Sequence, residues 1–273
     1  MRLISILKGR MVYSYQRFLE QAMADRGPDH HIWEINDKIK GRELGYLAEL
    51  HVPEILAGPS SLRTFYSPGH DCVIKPLNGC SSRGVVPLQW NTDVYTNLFT
   101  GEEMTWDEAV ASALADKHTP RNLSLIERGH PDAMRPPWLL EELILSDTGN
   151  LPDNWKAFCF GAEVVAIFHS RRQLDGSLRI RWWNRDFEDI GDICPAKKWK
   201  YDKRMAKPKN PEGLIKGFED VASLIDSPFI RVDLYERGTQ IVYGEVTPHP
   251  TGGGSPFIPE WDAIFGQAWH DAL

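Results

Sequence analysis

Two alternating runs near the C-terminus place the strongest constraint on how this chain folds. Residues 229–235 and residues 240–247 each alternate apolar and polar side chains, and Gly238 lies in the link between them. This alternation, interrupted by a short link that contains glycine, predicts a β-hairpin. Side chains on a strand point to its two faces in turn, so the polar residues of each run are expected to share one face.

The polar face of this hairpin is expected to bring two acidic residues together. Asp233 lies on the first strand and Glu245 on the second, each flanked by polar residues two positions away: Arg231, Tyr235, Tyr243 and Thr247. A hairpin loop of odd length centred on Thr239 places Asp233 directly opposite Glu245. Adjacent carboxylates repel unless a cation lies between them, and Mg²⁺ is usually bound by one or two carboxylates together with phosphates. The hairpin alone fits either a metal site or two solvated acids on an exposed face.

Composition excludes several classes of protein. With 273 residues, of which 42% are hydrophobic and 25% charged, the chain is typical of a soluble globular protein with one large domain or two lobes. Its net charge of −7 predicts neither a nucleic-acid partner nor a membrane-surface partner. We see no signal peptide and no apolar run of transmembrane length. The four cysteines show no C-x-x-C spacing, which favours a cytoplasmic location. The sequence gives no indication of the oligomeric state.

A strand that ends in lysine precedes a turn rich in glycine and serine. Residues 72–75 predict a short apolar strand ending at Lys75, and residues 78–84 predict a flexible turn. The lysine supplies a point charge, and backbone N–H groups in such a turn can approach anionic oxygens. The pattern therefore fits a phosphate site, although lysines next to glycine-containing turns also occur without any ligand.

Three further groups of charged residues are ambiguous when each is taken alone. Glu141 and Glu142 can accept hydrogen bonds from a nucleotide, or they can be solvated acids on a half-buried strand. Lys156 opens an apolar strand, where it can reach a phosphate or extend its charged end to water. A cluster of arginines fits either recognition of a carboxylate-bearing substrate or a solvated surface; its members are Arg171, Arg172, Arg179, Arg181 and Arg185.

The order of these pieces is more informative than any one of them. The chain begins this order with a strand that ends in lysine and a flexible loop, followed by an apolar segment with acidic residues. A second strand with a lysine and a hairpin with two carboxylates come next, and this is the order found in ATP-grasp enzymes. More narrowly, the chain resembles the TupA-like ATP-grasp family, named for a teichuronopeptide biosynthesis protein. The resemblance covers residues 37–262, and it is carried by residues 37–38, 42–43, 73–76, 140–142, 153–161, 183–185, 228–235, 244–247, 256–257 and 259–262.

The resemblance implies an α+β ATP-grasp fold in which two α+β lobes clamp a nucleotide. Residues 1–65 would form a short, mostly helical N-terminal segment. Residues 66–143 would form the small (lid) lobe, and residues 144–273 the large lobe with a metal-binding hairpin. The implied cofactors are ATP and Mg²⁺.

The resemblance also assigns the residues of the site. The nucleotide would be bound by Lys75, Asn78, Gly79, Ser81, Ser82, Gly84, Glu141, Glu142 and Leu143. Mg²⁺ would be held by Asp233, Glu245 and Thr247, with Thr247 at a position where many ATP-grasp enzymes have asparagine. Lys156 and Arg231 would be catalytic, in contact with a phosphate or an acyl phosphate.

The activity implied by the resemblance is that of an ATP- and Mg²⁺-dependent carboxylate–amine ligase. Such an enzyme forms an amide through an acyl-phosphate intermediate, here on an amino acid, a peptide or a sugar acid, with small-molecule carboxylate and amine substrates. Two alternatives remain open at this point. The same nucleotide site could serve a phosphotransferase acting on a hydroxyl group, or a nucleotide-binding module without catalysis.

Overall fold

A computed structural model gives the fold of the chain and describes residues 4–7, 10–26, 30–35, 37–77, 82, 84–115, 137–195, 199–250, 254 and 257–273. The helices are α1 (Tyr15–Asp25), α2 (Ile32–Ile35), α3 (Arg42–Leu47), α4 (Trp106–Ala115), α5 (Pro211–Ser223) and α6 (Pro259–Asp271). The strands are β1 (Ile4–Leu7), β2 (Arg10–Tyr13), β3 (Ile55–Ser60), β4 (Cys72–Pro76), β5 (Val86–Asn91), β6 (Val94–Asn97), β7 (Glu103–Met104), β8 (Trp138–Glu142), β9 (Asn154–Phe160), β10 (Glu163–Arg172), β11 (Leu178–Trp183), β12 (Trp199–Tyr201), β13 (Phe229–Arg237) and β14 (Gln240–Thr247). No helix in these ranges is long and apolar enough to cross a membrane.

The strands form two six-stranded sheets and a separate hairpin, β1–β2. The small sheet has the order β3-β8-β4-β5-β6-β7, and all its pairs are antiparallel. The large sheet has the order β12-β11-β10-β9-β13-β14, and its one parallel pair is β11–β12. Together with the packed helices this is the predicted α+β architecture. The exact boundaries of the two lobes stay predictions.

The segment before residue 65 is less uniformly helical than the sequence predicts. It contains helices α1 to α3, but also the β1–β2 hairpin and β3. Strand β3 is the edge strand of the small sheet, where it pairs with β8. It contains Gly58 and Pro59, two residues that are depleted in strand interiors, so the local pattern gave little indication of a strand. Proline is tolerated at an edge because it has no N–H group to offer a neighbouring strand.

Both faces of the large sheet are covered, and this fixes where polar side chains can lie. One face packs against α3 and α5 through residues such as Trp155, Val232 and Phe218. The other face packs against α1 and α6 in an aromatic cluster that includes Phe158 and Phe229. Burial of one such large side chain contributes roughly 1.5–3 kcal/mol. A charged residue within either face therefore needs partners inside the protein.

The predicted pairing of Asp233 with Glu245 is confirmed, but the structure reaches it by a different route. The loop of the β13–β14 hairpin has only two residues, because Arg237 pairs with Gln240. An even loop of this kind would leave Asp233 opposite residue 244. The register shifts between Asp233 and Leu234, where Gly244 is an extra residue in β14, and this β-bulge brings Glu245 opposite Asp233. The prediction of an odd-length loop was wrong.

The bulge also separates the face of Tyr243 from the face of Glu245. Tyr243 pairs with Leu234 and is buried in the core that α3 and α5 cover, on the opposite face from Glu245. Its hydroxyl group donates a hydrogen bond to the Gly41 carbonyl at 2.7 Å. The expectation that Tyr243 shares a face with Glu245 and Thr247 was therefore wrong, because one inserted residue shifts the alternation of the strand.

A buried polar cluster joins the start of β9 to the end of β10. His169 is fully buried and stacks on Trp155 with a centroid distance of 3.7 Å. Its Nε2 lies 2.8 Å from Asp153, which also accepts two hydrogen bonds from Arg171 at 2.6 and 2.7 Å. Burial raises the pKa of Asp153, but the hydrogen bonds from Arg171 and His169 outweigh it and lower that pKa to about 2. The charged form of Asp153 therefore stabilises the fold.

We predict that Gly244→Ala destabilises the protein. A Cβ at this position would lie 2.7 Å from the Asp233 carbonyl oxygen and 2.9 Å from a Tyr235 ring atom, so the bulge has to shift. The expected loss of unfolding free energy is about 1–3 kcal/mol, measured by urea denaturation. Thr239→Ala, in the exposed loop of the same hairpin, is the matched control and should change stability by less than about 0.5 kcal/mol. Equal stability of the two variants would contradict a tightly packed bulge.

The lowered pKa of Asp153 predicts a specific change in acid stability. The folded-state pKa is about 2, below the ordinary value of roughly 3.9, so the stabilisation is complete above that value and is lost as the pH falls towards 2. Asp153→Asn should cost about 2 kcal/mol at pH 7. Its unfolding free energy, measured in urea between pH 5 and pH 2.5, should fall less steeply than that of the unmodified chain. Asp186→Asn, at an exposed position, should leave the slope unchanged; parallel curves for all three proteins would refute the assignment.

Candidate functional site

Three charged residues form a row across neighbouring strands of the large sheet. Asp233 on β13 is the register partner of Lys156 on β9 and, on its other side, of Glu245 on β14. Directly opposed residues share a sheet face. The Asp233 side chain is only 1% exposed, whereas that of Glu245 is 49% exposed. The row therefore runs from the interior of the sheet to its edge, where β14 is the last strand.

Two cations neutralise the buried carboxylate of Asp233. The Lys156 ammonium group forms an ion pair with Oδ2. The Arg231 guanidinium group donates from Nε to Oδ1 at 2.7 Å and from Nη2 to Oδ2 at 2.8 Å. An ionised carboxylate in an apolar setting is strongly unfavourable unless it is paired and hydrogen-bonded. Lys156 and Arg231 therefore allow Asp233 to lie beside the aromatic core.

Arg231 also connects this carboxylate to the edge strand. Its Nη2 donates to Thr247 Oγ1 at 2.9 Å and lies 3.7 Å from Glu245 Oε1. Burial lowers the pKa of Arg231, but Asp233 more than offsets that effect and the pKa is raised. Burial also lowers the pKa of Lys156, and there Asp233 does not fully compensate. Arg231 is thus the more firmly held cation of the two.

A second carboxylate on the small sheet has a matching environment. Glu141 on β8 is 6% exposed, and its Oε1 accepts a hydrogen bond from Arg42 Nη1 at 2.7 Å. Its Oε2 forms an ion pair with the Lys75 ammonium group from β4. Arg42 also donates to the Pro53 carbonyl. Glu141, like Asp233, is therefore buried between one arginine and one lysine.

Glu142 ties the end of β8 to the hairpin of the large sheet. Its carboxylate accepts a hydrogen bond from Arg237 Nη1 at 2.9 Å and another from the Glu54 backbone N–H at 3.1 Å. His51 Nε2 lies 3.0 Å from the same group. Burial raises the pKa of Glu142, but these hydrogen bonds outweigh it and lower the pKa. The contact with Arg237 brings the two sheets together beside Glu141.

Tyr235 lies within electrostatic range of both buried carboxylates. It is two residues beyond Asp233 on β13 and shares its face. Burial raises the pKa of Tyr235, and the negative charges of Glu245, Asp233 and Glu141 raise it further. Glu141 belongs to the small sheet and Asp233 to the large one, so charges from both sheets act on this one hydroxyl group.

Of the remaining predicted nucleotide residues, three are described by the structure and three lie outside the described part of the chain. Ser82 and Gly84 have left-handed backbone conformations, with φ of 58° and 68°. Leu143 directly follows β8 and is buried. Asn78, Gly79 and Ser81 lie outside the described residues. The roles predicted for all of these residues, and for the residues of the two clusters, stay predictions.

The sequence analysis assigned no role in the site to three residues that fix the carboxylates, although Arg42 lies in a segment that carries the family resemblance. Arg42 and His51 contact residues far along the chain, with separations of 99 and 91 positions, so no local pattern could have found them. Arg237 was accessible, because it continues the alternation of Arg231, Asp233 and Tyr235 on one face of β13. The predicted strand ended at residue 235, two residues before Arg237.

The oxygen ligands of the large-sheet row suit a metal that is shared with a phosphate. Within the described ranges, no group of three or more His, Cys, Asp or Glu side chains is placed to hold a metal ion. The oxygen atoms of the row belong to the carboxylates of Asp233 and Glu245 and to the hydroxyl group of Thr247, and Arg231 already donates hydrogen bonds to Asp233 and Thr247. This set fits Mg²⁺, which usually combines one or two carboxylates with phosphate and water oxygens.

Comparison with known proteins assigns the family. Residues 64–270 match the family described as TupA-like ATPgrasp. The chain belongs to this family. The match includes the predicted site residues from Lys75 to Thr247, but not Arg42 or His51, which lie before it. None of the curated proteins compared with the chain is similar to it in sequence.

Several solved ATP-grasp and ligase structures resemble the chain. The ATP-grasp ligase PsnB, complexed with a phosphomimetic variant of its minimal precursor, Mg and ADP, is 12% identical; 94% of this chain and 65% of that chain are covered, with a TM-score of 0.44. D-alanine–D-alanine ligase from Helicobacter pylori is 12% identical, with 95% and 67% covered and a TM-score of 0.47. L-amino acid ligase from Bacillus licheniformis is 14% identical, with 88% and 47% covered and a TM-score of 0.46. The chain thus spans about two thirds or less of the length of these proteins.

We predict strong energetic coupling between Arg42 and Glu141. Arg42→Met and Glu141→Gln should each destabilise the protein by about 3 kcal/mol, since each leaves a buried partner without its counter-charge. The double variant should be less destabilised than the sum of the two, by at least about 1 kcal/mol in urea denaturation. A parallel cycle on the exposed pair Lys216 and Asp220 should give about 0.3–0.5 kcal/mol. Additive effects at Arg42 and Glu141 would show that the contact carries little energy.

Proposed function

We propose that the chain is an ATP- and Mg²⁺-dependent ligase that joins a carboxylate to an amine through an acyl phosphate. The observation that carries the proposal is the row of Lys156, Asp233 and Glu245 on one face of the large sheet, with Arg231 beside it. Membership of an ATP-grasp family supports the same reading. The substrates would be an amino acid, a peptide or a sugar acid together with a small amine, and the reaction would take place in the cytoplasm.

The nucleotide would lie between the two carboxylate clusters. Lys75 and the turn of residues 78–84 would contact its phosphates, while Glu141, Glu142 and Leu143 would line the adenosine. Lys75 is paired with Glu141 in the structure, so it has to turn towards a phosphate when one is present. Arg42 then keeps Glu141 paired, and the lysine can leave without exposing an isolated buried charge.

The large-sheet row would act on the transferred phosphoryl group. Mg²⁺ would be held by Asp233, Glu245 and Thr247 and would neutralise negative charge on the phosphates. Lys156 would turn from Asp233 to a phosphate oxygen, while Arg231 continues to hold the carboxylate through two hydrogen bonds. This follows from the two side chains, since lysine is a mobile point charge and arginine a planar group that binds carboxylates in a fixed geometry.

The chemistry needs positioning and charge neutralisation more than acid–base groups. A carboxylate oxygen attacks the γ-phosphorus of ATP, the bond to the β-phosphate oxygen breaks, and ADP leaves. The amine then attacks the acyl carbon, phosphate leaves, and the nitrogen loses a proton to give the amide. Lys156 and Arg231 would neutralise the charge on the acyl phosphate during both steps.

Turnover with paired substrates tests this proposal. The chain is incubated with Mg-ATP and mixtures of amino acids, sugar acids and amines, and ADP and phosphate are measured. We expect both products only when a carboxylate and an amine are present together. Asp233→Asn combined with Glu245→Gln should lower the rate at least about 100-fold, whereas Lys216→Gln, on the exposed surface of α5, should not.

Three outcomes would contradict the ligase. Formation of AMP and pyrophosphate would indicate adenylation instead of an acyl phosphate. A stable phosphorylated product formed without an amine would identify a phosphotransferase. ATP binding without turnover, unaffected by the Asp233 and Glu245 substitutions in calorimetry, would identify a nucleotide-binding module without catalysis.

A further inference from the structure

Three basic residues stand side by side on adjacent strands at the far end of the large sheet. Arg179 on β11 is the register partner of Arg171 on β10 and, on its other side, of Lys200 on β12. Like charges placed directly opposite each other on a sheet are destabilising. We call these three residues the basic row. The protein has a net charge of −7, so the basic row is a local exception to its overall charge.

The basic row lies on the opposite face of the sheet from the candidate nucleotide site. Phe168 on β10 is the partner of Lys156 and shares its face. Arg171 is three residues further along the same strand, so its side chain points to the other face. Its neighbour on that face, His169, stacks on Trp155 in the core covered by α3 and α5. The basic row therefore cannot contact a substrate held at Asp233.

A surface pocket of about 270 Å³ opens beside the basic row. Three of its six lining residues are arginines, and the full set is Arg171, Gln173, Arg179, Asp202, Arg204 and Met205. The pocket is close to the size range of small-ligand sites, roughly 300–1,000 Å³. The lining thus carries three guanidinium groups and one carboxylate, that of Asp202.

The counter-ions within the protein leave part of this positive charge available. Asp153 holds Arg171 through two hydrogen bonds, and Asp202 holds Arg204 through two at 3.0 Å. Arg179 has one ion pair among the described residues, a distant one of 3.9 Å to Asp202. Lys200 forms no ion pair with any residue that the structure describes. Hydrogen bonds from Ser177 lower the pKa of the nearby Asp175, and the charges of Lys200 and Arg179 add to that effect.

We propose that the pocket and the basic row form a second anion site, which binds an acidic peptide segment through successive carboxylates. Neighbouring strands are about 4.8 Å apart, so the row spans about 10 Å. In an extended peptide, side chains on one face repeat about every 7 Å, so two carboxylates reach across the row while a single phosphate meets one or two of the cations. Arginine adds the planar geometry that binds a carboxylate with two hydrogen bonds. The site is separate from the proposed ligation and does not depend on it.

Fluorescence anisotropy with a labelled tri-glutamate peptide tests the second anion site. The unmodified chain should bind the peptide at low salt, with affinity falling as salt is raised. Arg179→Gln combined with Lys200→Gln should weaken binding at least about tenfold. Lys209→Gln combined with Lys216→Gln removes the same charge from two exposed positions outside the pocket and should leave the affinity within about twofold.

Further arms separate this site from the nucleotide site and from a general charge effect. Lys75→Met changes the proposed nucleotide site and should bind tri-glutamate as the unmodified chain does. Binding of the peptide is therefore tested independently of the ligase activity. Lys200→Gln should not lower Tm, because it removes a repulsive neighbour of Arg179. The proposal would be overturned if the chain did not bind tri-glutamate, if both double variants lost affinity equally, or if Lys75→Met lost binding. It would also be overturned if inorganic phosphate displaced the labelled peptide as effectively as unlabelled tri-glutamate does.

Discussion

The buried carboxylate of Asp233 is the constraint on which the large lobe depends. It lies in the middle strand of a three-strand segment, beside an aromatic core. An ionised group in such a place is tolerated only with counter-charges at hydrogen-bonding distance. Strand β9 supplies Lys156, and β13 itself supplies Arg231 two residues away. The register of β9 against β13 is thus fixed by charge as well as by packing.

The same arrangement recurs on the small sheet, and the repetition has a physical meaning. Glu141 is held by Arg42 and Lys75 much as Asp233 is held by Arg231 and Lys156. In each pair the arginine is further constrained, Arg42 by a backbone carbonyl and Arg231 by Thr247. Among the described residues, neither Lys75 nor Lys156 has a second partner of this kind. A carboxylate with two cations can lose the mobile one to a phosphate and still remain paired, which is what a site that binds and releases a nucleotide requires.

The carboxylate hairpin could be predicted from the sequence, because it depends on the local alternation of apolar and polar residues. The period of two in residues 229–247 gave the hairpin and the shared face of Asp233 and Glu245. What local pattern could not give was the bulge at Gly244, since a glycine in a strand is compatible with several backbone paths. The Arg42–Glu141 contact was also inaccessible, because it joins α3 to β8 across 99 residues. Strand β3 was missed since its glycine and proline favour a loop reading.

The bulge explains why charge and packing are compatible in one hairpin. Without an inserted residue, a two-residue loop would put Tyr243 on the face of Thr247 and leave Glu245 pointing away from Asp233. With it, Tyr243 stays in the core opposite Leu234, while Glu245 turns to the other face and joins the row. Gly244 suits this position because a Cβ there would meet the Asp233 carbonyl oxygen and the Tyr235 ring. The bulge in the backbone therefore decides that Glu245, and not Gly244, stands opposite Asp233.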